Sequence, residues 1–245
     1  MFMEKQTFIP DKEDDNKKGE RINLSFKKSR WKNYFSKTLK PHIRGKVLEV
    51  GAGTGSTTAC LFKPEIETWH AIEPSKVLYD LYLKNIEEKL IPNKCKIFNC
   101  YLSNFQASEK YDTILYIDVL EHIENDYQEL ETAAKNLNSG GKLIILCPAY
   151  NFAYSPFDKA IGHYRRYNIK SLVKAVPKNM YINKSFYLDT IGIFLNLLNK
   201  FILKKKDISP MNYQIFNMII SVSYVSDFIF NYKFGRSVIV IAKKL

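Results

Sequence analysis

Val47-Leu48-Glu49-Val50-Gly51-Ala52-Gly53-Thr54-Gly55 passes from a short apolar run straight into glycines at alternate positions. A strand over Lys46 to Val50, turned at once by GxGxG into a helix from Thr54, brings backbone N–H groups to a sheet edge with no side chains in the way. A nucleotide can approach such a backbone closely. The spacing separates cofactor classes, because a dinucleotide fingerprint requires a further glycine or alanine after two intervening residues, three positions beyond Gly53. Ser56 stands there instead, and Gly55 arrives one residue early.

Outward from this loop, short β-branched runs alternate with amphipathic stretches. Strands are expected at Thr68 to Glu73, Lys94 to Asn99, Tyr111 to Asp118 and Lys142 to Cys147. Helices are expected from Ser75 to Lys89 and from Glu124 to Leu137, the latter stopped by Gly140-Gly141. Residues 46–147 therefore read as a doubly wound α/β core of parallel βαβ units. Upstream, Trp31, Tyr34, Phe35 and Leu39 mark one face of a helix over Ser29 to Leu39 that ends near Pro41 and lies against the domain or over its cleft. Residues 1–28 read as a flexible leader and 29–245 as a single domain, with an acceptor-side lobe at 148–234 and a final strand over 235–245. In that lobe the pattern gives a short helix from Asn168, a strand over Met180 to Leu188 and apolar stretches at 190–203 and 211–230. Asp189, Asn196, Asn199, Lys200, Gln214, Asn217 and Asp227 interrupt the apolar stretches, so they read as amphipathic helices, at most surface-associated, rather than membrane spans.

A chain of 245 residues with 46% hydrophobic content can bury one full core. Its net charge of +12 is uneven, residues 46–150 carrying 10 basic and 15 acidic groups and residues 151–245 carrying 15 and 4. A basic exterior around an acidic centre suits anionic partners or a membrane surface, although from charge alone a lysine-rich solvated face accounts for it better. The charged first residues offer no apolar core for a signal peptide, which places the expected location in the cytoplasm, with attachment at the inner membrane surface left open. Cys60, Cys95, Cys100 and Cys147 form no CxxC pair and read as reduced structural thiols. No two of the four histidines share a helix turn, so no metal is expected.

Two carboxylates refine the ligand. Glu73 ends the second strand, where it can accept both hydroxyls of a ribose. Glu49 would oppose a pyrophosphate but suits a ligand bearing an ammonium and a sulfonium. With these residues in place, the chain resembles the class I S-adenosylmethionine-dependent methyltransferases over roughly Trp31 to Cys147 and the final strand: VLEVGAGTG is similar to the family's glycine motif, AIEPS to its ribose motif and YDTILYIDVLEHIEND to its fourth strand and turn. The resemblance implies a Rossmann-like seven-stranded sheet of order 3-2-1-4-5-7-6 with strand 7 antiparallel, and S-adenosyl-L-methionine as cofactor. It also implies that Glu49, Gly51, Ala52, Gly53 and Gly55 line the methionine and ribose, Glu73 the ribose, and Asp118 and Val119 the methionine end. The family's acidic residue after the third strand is missing, which leaves Leu102 as the expected adenine contact.

The run Tyr154-Ser155-Pro156-Phe157-Asp158-Lys159-Ala160-Ile161-Gly162-His163-Tyr164-Arg165-Arg166-Tyr167 follows the fifth strand, over the carboxyl edge where open α/β sheets bind substrates. Its GHYRRY core is similar to that of a bacterial subgroup associated with cell-surface polysaccharide or lipid modification. His163 and His122 are candidate bases; His163 equally suits a hydrogen bond that pins its loop, whereas His122 better suits a cap that holds the turn after the fourth strand. Of Arg165 and Arg166, one is expected to clamp an anionic acceptor and the other to pair with Asp158 or Glu121. Tyr150, Tyr154, Tyr164 and Tyr167 offer aromatic walls. The reading is methyl transfer to oxygen or nitrogen of a small-molecule or lipid-linked saccharide acceptor. RNA methylation is disfavoured by the lack of an RNA-binding module, and a non-catalytic module on a membrane or partner is the remaining alternative.

Overall fold

A computed structural model describes residues 29–198 and 210–245. The leader over 1–28 and the part of the apolar stretches at 199–209 lie outside the described residues. The chain opens with α1 (Arg30–Leu39), capped by the Ser29 hydroxyl, which accepts from the Lys32 N–H at 3.3 Å. Its apolar face buries Trp31, Tyr34, Phe35 and Leu39, as their helical spacing requires. Then follow β1 (Lys46–Val50), α2 (Ser56–Leu61), β2 (Thr68–Ile72), α3 (Lys76–Glu87), β3 (Cys95–Phe98), β4 (Tyr111–Ile117), α4 (Asp126–Lys135) and β5 (Leu137–Pro148). The acceptor side adds α5 (Pro156–Ala160), α6 (Ile169–Ala175), β6 (Met180–Leu188), α7 (Thr190–Leu198) and α8 (Pro210–Ile229), and β7 (Ser237–Lys244) closes the chain.

The seven strands form one sheet in the order β3-β2-β1-β4-β5-β7-β6. β1 to β5 pair in parallel, whereas β7 runs antiparallel between β5 and β6. This is the topology implied by the resemblance. The central strands are buried on both faces, which is why β4 and β7 read as nearly continuous apolar runs. One face packs Leu48, Tyr116, Leu130, Leu143 and Leu172. The other packs Trp31, Phe35, Val47, Leu61, Trp69 and Tyr82, so α1 helps to cover the sheet from that side.

One expected boundary is wrong. Gly140 and Gly141 do not stop a helix; α4 ends at Lys135 and both glycines lie inside β5. Tyr111 pairs with Leu137 but Thr113 already pairs with Lys142, so residues 138–141 form an irregularity that glycine absorbs, Gly140 at φ +74°. In the C-terminal half, Asp189 and Asp227 are fully buried. Asp227 accepts from the Tyr34 hydroxyl (2.6 Å) and from the N–H groups of Asp189 and Thr190 (2.6 and 2.7 Å), and Asp189 pairs with Arg236 at 2.9 Å. The acids that interrupt the apolar pattern thus tie α1, α7, α8 and β7 together. Among the described residues no helix is long and apolar enough to cross a membrane.

Candidate active site

The glycine loop leaves β1 at the point where the sheet turns from β2 to β4, the crevice of an open α/β sheet. The N–H groups of Gly51 and Ala52 donate to the Ile72 carbonyl at 2.9 and 3.1 Å. Gly51 sits at φ +69°, and a Cβ there would meet the Val119 side chain at 2.6 Å. A Cβ on Gly53 would meet nothing within 4 Å, so the loop presents an open concavity at its middle glycine. Glu73, just past β2, borders this concavity: its carboxylate accepts the Gly53 and Ser75 N–H groups, each at 2.9 Å. Burial raises its pKa while those two bonds lower it. Each oxygen retains a further lone pair for a ligand hydroxyl.

Glu49 lies on the floor, 2% exposed, where one oxygen accepts from Trp69 Nε1 at 3.0 Å and from the Thr58 hydroxyl. Burial pushes its pKa up to about 7 against the pull of those bonds. Lys32, from α1, reaches Ser56 at the start of α2 and feels the charges of Asp118 and Glu49, while burial lowers its own pKa. The sequence reading had no local signal for Lys32, because its role depends on where α1 docks.

A stability prediction follows from Glu49. A carboxyl whose folded pKa is raised makes the fold bind extra protons between the unfolded value of 4.5 and about 7, so its burial becomes destabilising as pH rises through that window. The penalty approaches roughly 3 kcal/mol above pH 7. Glu49→Gln is expected to melt at increasingly higher temperature than the native chain as pH goes from 5 to 8, the gap widening by roughly 6–12 °C in calorimetry. A gap independent of pH would contradict this placement of Glu49.

Asp118 follows β4 at φ +55° and is exposed, with Val119 beside it over Gly51. A strained tip of this kind is common where a strand end addresses a ligand. The Leu102 side chain is 3% exposed and belongs to the core cluster with Tyr116 and Ile72 rather than projecting into open space. A groove of about 500 Å³ lined by His70, Phe98, Asn99, Phe105 and Tyr111 contains none of the expected cofactor residues.

The GHYRRY segment is strapped across the carboxyl edge. Tyr164 N–H donates to the Glu121 carbonyl (2.8 Å), Tyr167 N–H to the Pro148 carbonyl (3.0 Å) and the Tyr154 hydroxyl to the His163 carbonyl (2.6 Å). Arg166 is 7% exposed and its guanidinium grips Asp158 through Nε and Nη2 at 2.7 and 2.9 Å. Arg165 donates to Asp126 at 2.9 Å and to the Glu124 carbonyl at 2.7 Å. Both arginines are thus engaged by the protein, which corrects the division of one pair and one clamp: Arg166 has no fork left for an acceptor. Tyr167 is likewise a core residue, 2% exposed and bonded to Asp126 at 2.7 Å, whereas Tyr164 is half exposed.

The strap brings His163 against His122, their rings edge to face with centroids 4.5 Å apart. His163 Nδ1 lies 2.9 Å from Asp158 and its Nε2 3.8 Å from Glu121. Burial first, then the neighbouring His163, drives the His122 pKa down to about 4, so its imidazole is neutral at physiological pH. Although burial pushes the Asp158 carboxyl up, the bonds from His163, Arg166 and Ser155 hold it well below the usual range. Glu121, fully buried, is pushed well above it, first by burial and then by Asp118.

The crossover at β1, the open glycine loop and the carboxylate beyond β2 define an α/β fold with an open, carboxylate-bordered loop at its topological switch point. The model of a family described as a methyltransferase domain matches residues 21–179. No curated protein sequence matches. Among solved structures, the chain is similar to a possible histamine N-methyltransferase from Thermotoga maritima, at 15% identity and TM-score 0.63, over 94% of this chain and 96% of that one. It is also similar to the N-methyltransferase NodS from Bradyrhizobium japonicum in complex with S-adenosyl-L-homocysteine, at 11% identity and TM-score 0.57, over 92% and 97%. The [4+2]-cyclase SpnF shares the fold too, at 12% identity and TM-score 0.59, over 86% and 81%. This chain belongs to the methyltransferase domain family and is a class I S-adenosylmethionine-dependent methyltransferase.

Proposed function

We propose that the protein methylates an oxygen or nitrogen of a small-molecule or lipid-linked saccharide acceptor, with S-adenosyl-L-methionine held at the glycine loop between Glu73 and Asp118. The observation that carries this reading is Glu73 at the lip of the Gly53 concavity, its free lone pairs facing a space that side chains leave open. When bound, the cofactor supplies an electrophilic methyl group on a sulfonium. Glu73 holds the ribose hydroxyls, Gly51, Ala52, Gly53 and Gly55 allow close backbone approach, and Asp118 and Glu49 supply the negative field that a cationic ligand needs. Lys32 offers the cofactor carboxylate its ammonium.

On the acceptor side the chain has to align the nucleophile and exclude water. Tyr154 and Tyr164 border that space, and the imidazoles of His122 and His163 reach it, His163 with its Nδ1 held by Asp158, as candidate bases for the acceptor's proton. A lipid-linked acceptor is supported by exposed apolar side chains at Phe194, Phe228, Ile229, Phe230 and Phe234 on and beside α7 and α8. The test is transfer of an isotopically labelled methyl group into a bacterial extract, followed by separation of lipid, saccharide and RNA fractions. Label is expected in the lipid or saccharide fraction and absent without the protein, and label in RNA alone would overturn the acceptor class.

A further inference from the structure

Spacing along the chain gave no reason to expect a metal, yet folding gathers three potential ligands from two distant segments. Glu121 and His122 come from the turn after β4, and His163 from the strap after α5. The ligand atoms of all three lie within 4.8 Å of one another, the one such group among the described residues. Glu121 is 0% exposed and neither carboxylate oxygen makes a hydrogen bond, although its own N–H and the Cys147 thiol lie near. A buried carboxylate in that state is costly unless a proton or a cation compensates it. The second sphere of a metal site is already in place: Asp158 lies 2.9 Å from His163 Nδ1, which leaves Nε2, 3.8 Å from Glu121, as the atom for coordination. The Gly162 backbone holds the His122 ring from its other side by a hydrogen bond. We infer that Glu121, His122 and His163 form a binding site for one divalent first-row transition metal ion.

Two imidazoles and one carboxylate select zinc, or iron, cobalt or manganese in the same valence, over magnesium or calcium, whose ligand sets are all oxygen. Coordination near 2.1 Å requires each ligand to move inward by roughly 0.5–1 Å, within reach of side-chain adjustment. Three protein ligands leave a position open. On the methyltransfer reading, the metal replaces the two histidines as the means of deprotonation: an acceptor hydroxyl bound there loses its proton to solvent. Its oxygen lone pair then takes the methyl group as the carbon–sulfur bond breaks, with the bonding electrons left on sulfur. This role rests on the proposed function; the metal site does not.

The full chain, freed of metal with a chelator, is titrated with Co²⁺ and followed by visible absorption, with Zn²⁺ added as competitor. One equivalent of Co²⁺ is expected to bind, to be displaced by Zn²⁺, and to lose at least about tenfold in affinity in His163→Ala and in His122→Ala. His42→Ala, outside the cluster, is expected to bind as the native chain does. Melting curves of each variant separate ligand loss from unfolding. Absence of saturable absorption, or binding indifferent to both histidine variants in folded protein, would overturn the site. Calorimetry with S-adenosylmethionine on the same preparations reports separately on the cofactor reading, so either claim can fail alone.

Discussion

Asp158→Ala is expected to lower the melting temperature by roughly 6–20 °C. Asp158 is 0% exposed and accepts from Ser155 N–H and hydroxyl (both 2.8 Å), from His163 Nδ1 (2.9 Å) and from two nitrogens of Arg166 (2.7 and 2.9 Å). It is at once the capping-box partner of α5 and the counterion of a buried guanidinium. Removing one partner of a buried pair strands the other charge and costs about 3–5 kcal/mol, and in a chain of this length each kcal/mol is worth about 2–4 °C. The depressed pKa gives the pH dependence: the contribution is present above the unfolded value of 3.8 and is lost as pH falls below it. A thermal melt by circular dichroism checks this. A fall of under a degree would mean that the strap is not held by Asp158.

The second large effect concerns the ligand. With the cofactor placed as proposed, Glu73→Ala removes the acceptor for two ribose hydroxyls, each bond to a charged group being worth about 1.5–3 kcal/mol, so cofactor affinity should fall by about 100-fold or more. It also frees the Gly53 and Ser75 N–H groups, which loosens the loop at the place where the ligand approaches. Because Glu73 sits at the cleft rim, the fold should survive, with a melting temperature within a few degrees of the native chain. Unchanged affinity in the folded variant would remove Glu73 from the site.

The features legible in the sequence are those set by near neighbours along the chain. The apolar run into GxGxG, the 31/34/35/39 face and the amphipathic stretch from Ser75 are all set within a few residues, and the structure places helices after the loop, over 30–39 and over 76–87. Gly140-Gly141 misled because a glycine pair after a helix looks alike whether it ends the helix or absorbs an irregularity in the next strand; the decision lies in pairing with β4, which is non-local. Leu102 was assigned by position relative to β3, but the one-turn helix Leu102–Asn104 rotates its side chain into the core. The pairing of Arg166 with Asp158 was foreseen as an alternative, while its exclusivity depends on burial, which composition does not report. Lys32 at the glycine loop and the meeting of His122 with His163 and Glu121 depend on docking of α1 and of the strap, so they had no signature in spacing.

The central claim is that the loop from Gly51 to Gly55 with Glu73 selects S-adenosylmethionine, and the direct test is calorimetric titration of the native chain with S-adenosylmethionine, S-adenosylhomocysteine and NAD in turn. One molecule of either adenosyl ligand per chain is expected to bind with measurable heat, and NAD to give none at the same concentrations. Absence of heat with both adenosyl ligands, or equal binding of NAD, would contradict it.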